Sequence, residues 1–304
     1  MLRFSRLSHT RTKFKSLFYL LFITQSLALS TPLDDLRVQA ENGESWAQFN
    51  LALQYFSGHS NPQGSREYSQ AAKWFQKAAL QGDLQAQTNF AYMLEEGLGV
   101  KQNSDQALSW YLQAAQSGDP EAQFQLGLRF LHGRSVPRDQ QRGLQWINLA
   151  AEKNHVPAQA LLGDWYSLGA FSDTESQNFA VNRGSSLENS VQWYKRAAKG
   201  GDLHSQYRLG FLLYHGRGLP ANIEEAKLWL ERAAKGGYNE AQYLLGCYYS
   251  GSTQRDLAQA YAWFDLANSG GSGRAGEALD TLKARLTSQE LARAKQLIVK
   301  LKLN

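Results

Sequence analysis

The chain repeats one pattern six times between residues 47 and 275, and this repetition limits its possible folds more than any other feature. Each copy opens with a small residue followed by glutamine. The opening pairs are Ala47-Gln48, Ala86-Gln87, Ala122-Gln123, Ala158-Gln159, Ser205-Gln206 and Ala241-Gln242. Large apolar residues recur four and eight positions after each opening residue. Offsets 0, 4 and 8 share one face of an α-helix, so each copy predicts a helix, called helix A.

A second helix, helix B, is marked by a tryptophan in every copy. The six are Trp74, Trp110, Trp146, Trp193, Trp229 and Trp263. From each tryptophan to the next opening residue is always 12 positions, whereas the distance from opening residue to tryptophan varies between 22 and 35. The length variation therefore lies in the loop between helices A and B, as expected if stacking holds helix B and the following turn.

A single helix pair cannot bury its apolar stripe by itself, but stacked pairs bury their stripes against each other. We therefore predict an all-α fold, an α-solenoid (a right-handed superhelix) of six tandem helix-turn-helix repeats. The predicted repeats are 47–85, 86–121, 122–157, 158–204, 205–240 and 241–274, after an N-terminal capping helix in 31–46 and before C-terminal capping helices in 275–304. The tryptophans are interpreted as core residues, each costing about 3–5 kcal/mol when replaced by alanine.

Residues 1–30 predict a secretory signal peptide. Five basic residues and no acidic residue accompany an apolar run, Ser16–Ser30, which is shorter than the roughly 20 residues that span a bilayer. Small residues at Ala28 and Ser30 predict cleavage before Thr31. The prediction is a periplasmic or secreted protein with no integral membrane span after cleavage. An uncleaved membrane anchor and a mitochondrial transit peptide stay open as alternatives.

The charge and cysteine content exclude some classes of protein. After residue 30 the chain has 27 basic and 27 acidic residues, so it lacks the basic excess typical of nucleic-acid binders, and no nucleic-acid partner is predicted. Its one cysteine, Cys247, cannot form an internal disulfide. The fold must therefore depend on packing.

No motif for catalysis or for binding a cofactor stands out. The chain lacks G-x-S-x-G, S-x-x-K, H-E-x-x-H and a Gly-Lys pair. G-x-G occurs at Gly97/Gly99 and Gly216/Gly218, but each pair follows a helix A and is interpreted as a turn. The histidines after residue 30 show no metal-ligand spacing. We predict no catalytic residue, cofactor or metal, and a protein that is not an enzyme.

The combined pattern A-Q-x-x-L-G-x-x-Y…G-x-G…A-x-x-W-x-x-x-A-A-x-x-G resembles the Sel-1-like repeat family of the tetratricopeptide-like superfamily, over about residues 47–275. The resemblance implies an adaptor that holds protein partners, and exported bacterial members are associated with envelope processes and host interaction. One secreted subgroup is linked to β-lactam binding, but its paired cysteines are missing here, so that activity is not carried over.

The main hypothesis is a non-enzymatic protein–protein interaction scaffold of the bacterial envelope or secretome, with a protein or peptide partner. The alternative is a peptidoglycan- or β-lactam-binding or cell-wall-modifying envelope factor, which leaves a glycan ligand open. Self-assembly by end-to-end stacking is a third hypothesis.

The resemblance also implies where a partner binds, because helix A lines the concave face of tetratricopeptide-like solenoids. Offsets 2, 6 and 9 of helix A should point into that groove, and aromatic and apolar residues are frequent there. The predicted partner-binding residues are Phe49, Tyr92, Phe124, Leu128, Tyr207, Phe211, Tyr214 and Tyr243. The competing interpretation is that these residues pack against neighbouring helices. A second candidate is the long loop of repeat four, Leu168–Asn189, whose alternative is an unstructured insertion.

Overall fold

The computed structural model describes residues 32–60, 63–167, 183–251 and 255–303. These residues form fifteen α-helices and no strand. The chain divides into two compact units, Met1–Trp146 and Ile147–Asn304. The predicted signal peptide lies outside the described residues. Within the described parts, no helix has the length and apolarity needed to cross a bilayer.

The helices follow the predicted order of helix A and helix B. The first unit contains α1 (Leu33–Glu41), α2 (Ser45–Ser57), α3 (Tyr68–Leu80), α4 (Leu84–Glu96), α5 (Ser104–Gln116), α6 (Pro120–His132) and the first part of α7 (Gln140–Glu152). The second contains the rest of α7, then α8 (Val156–Ser167), α9 (Arg183–Lys199), α10 (Leu203–His215), α11 (Ile223–Lys235), α12 (Asn239–Gly251), α13 (Leu257–Ser269), α14 (Gly273–Lys283) and α15 (Ser288–Leu303). Even numbers from α2 to α12 are helix A, and odd numbers from α3 to α13 are helix B.

Neighbouring helices pack in sequence within each unit. Consecutive helices pack against each other in the first unit from α1 on α2 through α5 on α6, and in the second unit from α8 on α9 through α13 on α14. Helix α15 packs back on α13. The predicted all-α solenoid of tandem helix pairs is confirmed.

The boundaries differ from the sequence prediction in two places. Each helix A begins two residues before its opening small residue. In repeat four, the residues from Arg183 onward belong to helix α9, so the predicted loop Leu168–Asn189 ends earlier than expected. The remainder of that loop, residues 168–182, lies outside the described part of the chain.

A capping box starts α15: the Thr287 backbone N–H donates to the Glu290 carboxylate, and the Glu290 N–H donates to the Thr287 hydroxyl.

The glutamine of each opening pair has the same role in all six repeats. Its buried side-chain amide donates to the carbonyl of the residue eight positions earlier, in the last turn of the preceding helix, at 3.0–3.1 Å. The acceptors are Ala40, Ala79, Ala115, Ala151, Ala198 and Ala234. Carbonyls in a last helical turn lack the usual partner within the helix. The glutamine therefore joins consecutive helices across the inter-repeat turn.

This hydrogen bond predicts different costs for two substitutions of similar size. Gln123→Met removes the donor and should lower the free energy of unfolding by about 1 kcal/mol. Gln123→Glu should cost more at neutral pH, because a buried carboxylate would face the Ala115 carbonyl oxygen. Lowering the pH should recover part of that loss, since a protonated carboxyl can donate. Urea unfolding at two pH values measures both costs, and equal losses for Met and Glu at neutral pH would contradict this role.

The large side chain that is most consistently buried in helix B is the residue after the tryptophan. These six residues are Phe75, Tyr111, Ile147, Tyr194, Leu230 and Phe264, and all are fully or almost fully buried. The tryptophans themselves are less uniform: Trp74, Trp229 and Trp263 are buried, while the other three are half-buried. Of the half-buried tryptophans, Trp110 and Trp146 pack against the first unit's core, so five of the six are buried in a core or packed against one.

Small residues in helix A make room for these side chains. A Cβ atom added to Gly163 would lie 2.5 Å from the Tyr194 ring, and one added to Gly246 would lie 2.5 Å from Phe264. The glycine thus lets helix B approach closely, as the alternation of large and small residues predicts. The G-x-G pairs are turns, because Gly216 and Gly218 have φ angles of 62° and 77°.

Candidate functional site

In the first unit, the structure places two of the predicted partner-binding residues in the core. Phe49 is 8% exposed and Phe124 is 3% exposed. The ring of Phe49 lies 5.7 Å from that of Phe75. These two residues pack between helices, so they offer little surface to a partner. Tyr92 and Leu128 are half-buried, and Tyr92 packs against the first unit's core.

In the second unit, three of the predicted residues come together. Tyr207, Phe211 and Tyr214 stand on successive turns of α10 and are all half-buried. The Tyr207 and Phe211 ring centroids are 6.2 Å apart. His215 lies 4.4 Å from the Phe211 ring and 5.1 Å from the Tyr214 ring. Tyr238, from the turn before α12, lies 5.3 Å from Tyr207.

These five residues, Tyr207, Phe211, Tyr214, His215 and Tyr238, are called the α10 aromatic face below. Spacings of four, seven and eight residues explain why the members on α10 share a side of that helix. The remaining predicted residue, Tyr243, contacts other groups: its ring is 5.6 Å from Phe264, and the Arg274 guanidinium lies 5.0 Å above it.

A polar network lies beside this face and is centred on Asp164 of α8. The Asp164 carboxylate accepts a hydrogen bond from the Tyr194 hydroxyl at 2.6 Å. The same oxygen atom is 2.8 Å from Nε2 of His204, in the first turn of α10. Nδ1 of His204 lies 2.8 Å from the Tyr238 hydroxyl. The network therefore reaches the aromatic face through Tyr238.

Arg208 closes the network on the other side. Its Nε donates to the Tyr194 hydroxyl and its Nη2 donates to the Ser167 hydroxyl, both at 3.1 Å. The Ser167 hydroxyl in turn donates to the backbone carbonyl of Asp164. These bonds join α8, α9 and α10.

The charged groups in this network shift one another's pKa values. Burial opposes ionisation of Asp164, but His204, the Tyr194 hydrogen bond and the Arg208 charge together outweigh it, so the pKa of Asp164 falls below its ordinary value. Burial likewise opposes protonation of His204, but the carboxylates of Asp164 and Asp202 together outweigh it and raise the pKa of the imidazole. Burial also raises the pKa of the Tyr194 and Tyr238 hydroxyls, so both carry their protons at neutral pH.

Asp164, His204 and Ser167 have the residue types of a hydrolytic triad but not its connections. The imidazole uses one nitrogen for Asp164 and the other for Tyr238, so neither is directed at Ser167. The Ser167 hydroxyl donates its hydrogen bond to the Asp164 backbone carbonyl. In a triad, the histidine must accept the proton of the serine nucleophile. The arrangement positions side chains and does not activate a nucleophile.

Metal-ligating side chains and the one cysteine are the other groups with potential chemistry. Among the described residues, no cluster of three or more His, Cys, Asp or Glu side chains could hold a metal ion. Cys247 is half-buried, and burial raises the pKa of its thiol, which keeps the sulfur protonated and weakly nucleophilic.

The predicted partner-binding residues include no member of this network, which consists of Tyr194, His204, Arg208, Tyr238, Asp164 and Ser167. The sequence contained a signal for Tyr194, because a large residue follows the tryptophan in every repeat. His204 and Arg208 are four residues apart and so share a helix face, but their partners are distant in sequence.

The comparison with protein families covers the same part of the chain as the structural repeats. The family model for the Sel1 repeat matches residues 47–83, 84–119, 120–155, 156–202, 203–238 and 239–272. The chain belongs to the Sel1 repeat family. Sel1 repeat proteins are generally protein–protein interaction scaffolds.

Solved structures resemble this Sel1 repeat protein over most of its length. A Sel1 repeat protein from Oxalobacter formigenes is 26% identical with a TM-score of 0.63, and the match covers 78% of this chain and 99% of that one. A protective antigen present in uropathogenic Escherichia coli strains, with an SLR fold, is 26% identical with a TM-score of 0.54. That match covers 88% of this chain but 63% of the antigen, so the chain spans less than two thirds of that relative. A search of curated protein sequences gave no match.

Proposed function

We propose that this Sel1 repeat protein is a non-enzymatic interaction scaffold of the bacterial envelope or secretome, and that it holds a protein partner on the α10 aromatic face. One observation carries the proposal: Tyr207, Phe211 and Tyr214 are half-buried rings gathered on one side of α10. Tyrosine and other aromatic residues are enriched at protein interfaces and among the residues that contribute most to binding.

The polar network beside the face supports a binding role. The Tyr238 hydroxyl is hydrogen-bonded to the His204 imidazole. Asp164 and Arg208 both form hydrogen bonds with the Tyr194 hydroxyl. Side chains that are already fixed lose less conformational entropy when a partner binds. Tyr238 is thus a preorganised part of the aromatic face.

Export is supported by the basic and apolar pattern of residues 1–30, which is typical of a signal peptide. The description of the Escherichia coli relative as a protective antigen fits a location that a host can reach. Both observations favour the envelope or the secreted fraction as the place to look for the partner.

Site-specific photo-cross-linking tests the proposal. A photoreactive phenylalanine analogue would replace Phe211 in the full chain, and the matched control would carry it at Leu228. Leu228 is an apolar residue of helix α11 in the same repeat and is 59% exposed. After incubation with the native envelope fraction, mass spectrometry would identify the cross-linked proteins. We expect one partner to be captured from position 211 and not from position 228.

The captured partner then allows a quantitative test with purified proteins. Phe211→Ala should weaken its binding by about fivefold or more, since truncating an aromatic anchor costs over about 1 kcal/mol, whereas Leu228→Ala should leave the affinity unchanged. Equal capture from both positions, or an unchanged Kd for Phe211→Ala, would remove the aromatic face as the binding site. Turnover of cell-wall fragments by the purified protein would contradict the non-enzymatic role.

A further inference from the structure

We infer that His204 is a proton-sensitive tie between α8, α10 and the turn before α12, and that protonation of its imidazole holds these elements together more firmly. His204 lies in the first turn of α10. Its Nε2 meets Asp164 of α8 and its Nδ1 meets Tyr238 in the turn before α12, each at 2.8 Å. One side chain of α10 thus bonds to the preceding helix A and to the residue that directly precedes the next helix A.

The two protonation states satisfy these contacts differently. A protonated imidazole donates from both nitrogens, to the Asp164 carboxylate and to the Tyr238 hydroxyl oxygen. Both bonds are then charge-assisted and stronger than neutral ones. A neutral imidazole donates only to Asp164, and Tyr238 must turn its own proton toward Nδ1. The contacts survive deprotonation, but the attraction between α8, α10 and the turn before α12 weakens.

The surroundings of His204 favour the protonated state. The charged and titratable groups that face it are Asp164 from α8, Tyr194 from α9, Asp202 from the turn before α10, Arg208 from α10 itself and Tyr238 from the turn before α12. Two carboxylates therefore oppose one guanidinium. The Arg208 guanidinium also donates hydrogen bonds to the hydroxyls of Tyr194 and Ser167.

The direction of the pH effect follows from linkage. The pKa of His204 is raised in the folded protein, so its contribution to stability is complete below the ordinary histidine pKa and is lost as the pH rises through the folded value. The pKa of Asp164 is lowered, so the contribution lasts on acidification until that carboxylate is protonated. His204 and Asp164 keep 37% and 39% of their side-chain surface exposed, so solvent screens the pair.

The contact between His204 and Tyr238 also affects the α10 aromatic face, because Tyr238 belongs to that face. Acidification should hold the Tyr238 and Tyr207 rings in place, while alkaline pH should loosen them. The effect on partner binding rests on the proposed function, but the tie itself does not. It is therefore tested on the unliganded protein, so that its failure is distinct from failure of the scaffold proposal.

An NMR titration of the histidine side chains in the full chain is the first test, and it needs no variant. We expect His204 to titrate above the ordinary histidine value in the wild type. In Asp164→Asn its pKa should fall below that value, because burial remains while the carboxylate charge is gone. A wild-type His204 that titrates at or below the ordinary value would overturn the inference.

Amide hydrogen exchange supplies the second test, compared at about pH 5.5 and about pH 8.5 after correction for intrinsic exchange rates. In the wild type, exchange in α10 and in the first turn of α12 should slow several-fold at the lower pH. His204→Gln can still form hydrogen bonds but cannot titrate, so its corrected rates should not respond to pH. The control His132→Gln changes an exposed histidine of the first unit and should behave as the wild type. A pH response that persists in His204→Gln would rule His204 out as the sensor.

Discussion

Replacing Phe75 with alanine is expected to lower the free energy of unfolding by about 3–5 kcal/mol, one of the two largest effects of a single substitution in this protein. Phe75 is fully buried in α3, and its ring contacts Phe49 at 5.7 Å and Phe56 at 6.3 Å. Truncation removes the transfer energy of the ring and leaves a cavity between α2 and α3. Urea unfolding followed by far-UV circular dichroism, with hydrogen exchange in α3, measures the loss.

Two controls make this result informative. Gln76→Ala changes the exposed next residue of the same helix and should cost less than about 0.5 kcal/mol. Trp110→Ala changes a half-buried tryptophan and should cost less than Phe75→Ala. A larger loss at Trp110 would restore the tryptophan as the main core residue of helix B.

Glu95→Ala is the second substitution with a large expected effect, again about 3–5 kcal/mol. Its carboxylate pairs with the guanidinium of Arg129, whose side chain is only 5% exposed. Arg129 also lies 3.9 Å above the Tyr111 ring and donates to the Gln125 carbonyl. Without Glu95, a buried positive charge has no counter-ion, and its desolvation is no longer offset. Chemical unfolding of the purified variant measures this effect.

A double variant separates the pair from the lone charge. Glu95→Leu with Arg129→Leu removes both charges and should recover most of the stability lost in Glu95→Ala, because apolar residues can replace a buried ion pair. Asp34→Ala is a matched control, since it breaks the exposed pair with Arg37 and should cost at most about 0.5 kcal/mol. If the double variant is as unstable as the single one, packing of the two side chains matters more than their charge.

The candidate site was only partly predictable, and residue type explains the difference. Phe49, Phe124 and Tyr207 all occupy offset 2 of a helix A. The two phenylalanines are buried, whereas Tyr207 keeps part of its ring exposed. A phenyl ring can be covered completely, but a tyrosine hydroxyl needs water or a polar partner. The side chain at a given offset therefore affects whether that position faces a core or a surface.

The sequence by itself determined the helix pairs, their caps and their stacking order. Those features depend on the spacing of apolar, small and glycine residues within about one repeat, and that spacing is visible in the chain. Only the tertiary structure decided the Asp164 network. Four of its bonds join residues 30 to 41 positions apart, such as Tyr194 with Asp164 and Arg208 with Ser167. Whether such side chains meet depends on the rotation and distance between stacked helix pairs, and these are set by packing of the whole unit and by no local pattern.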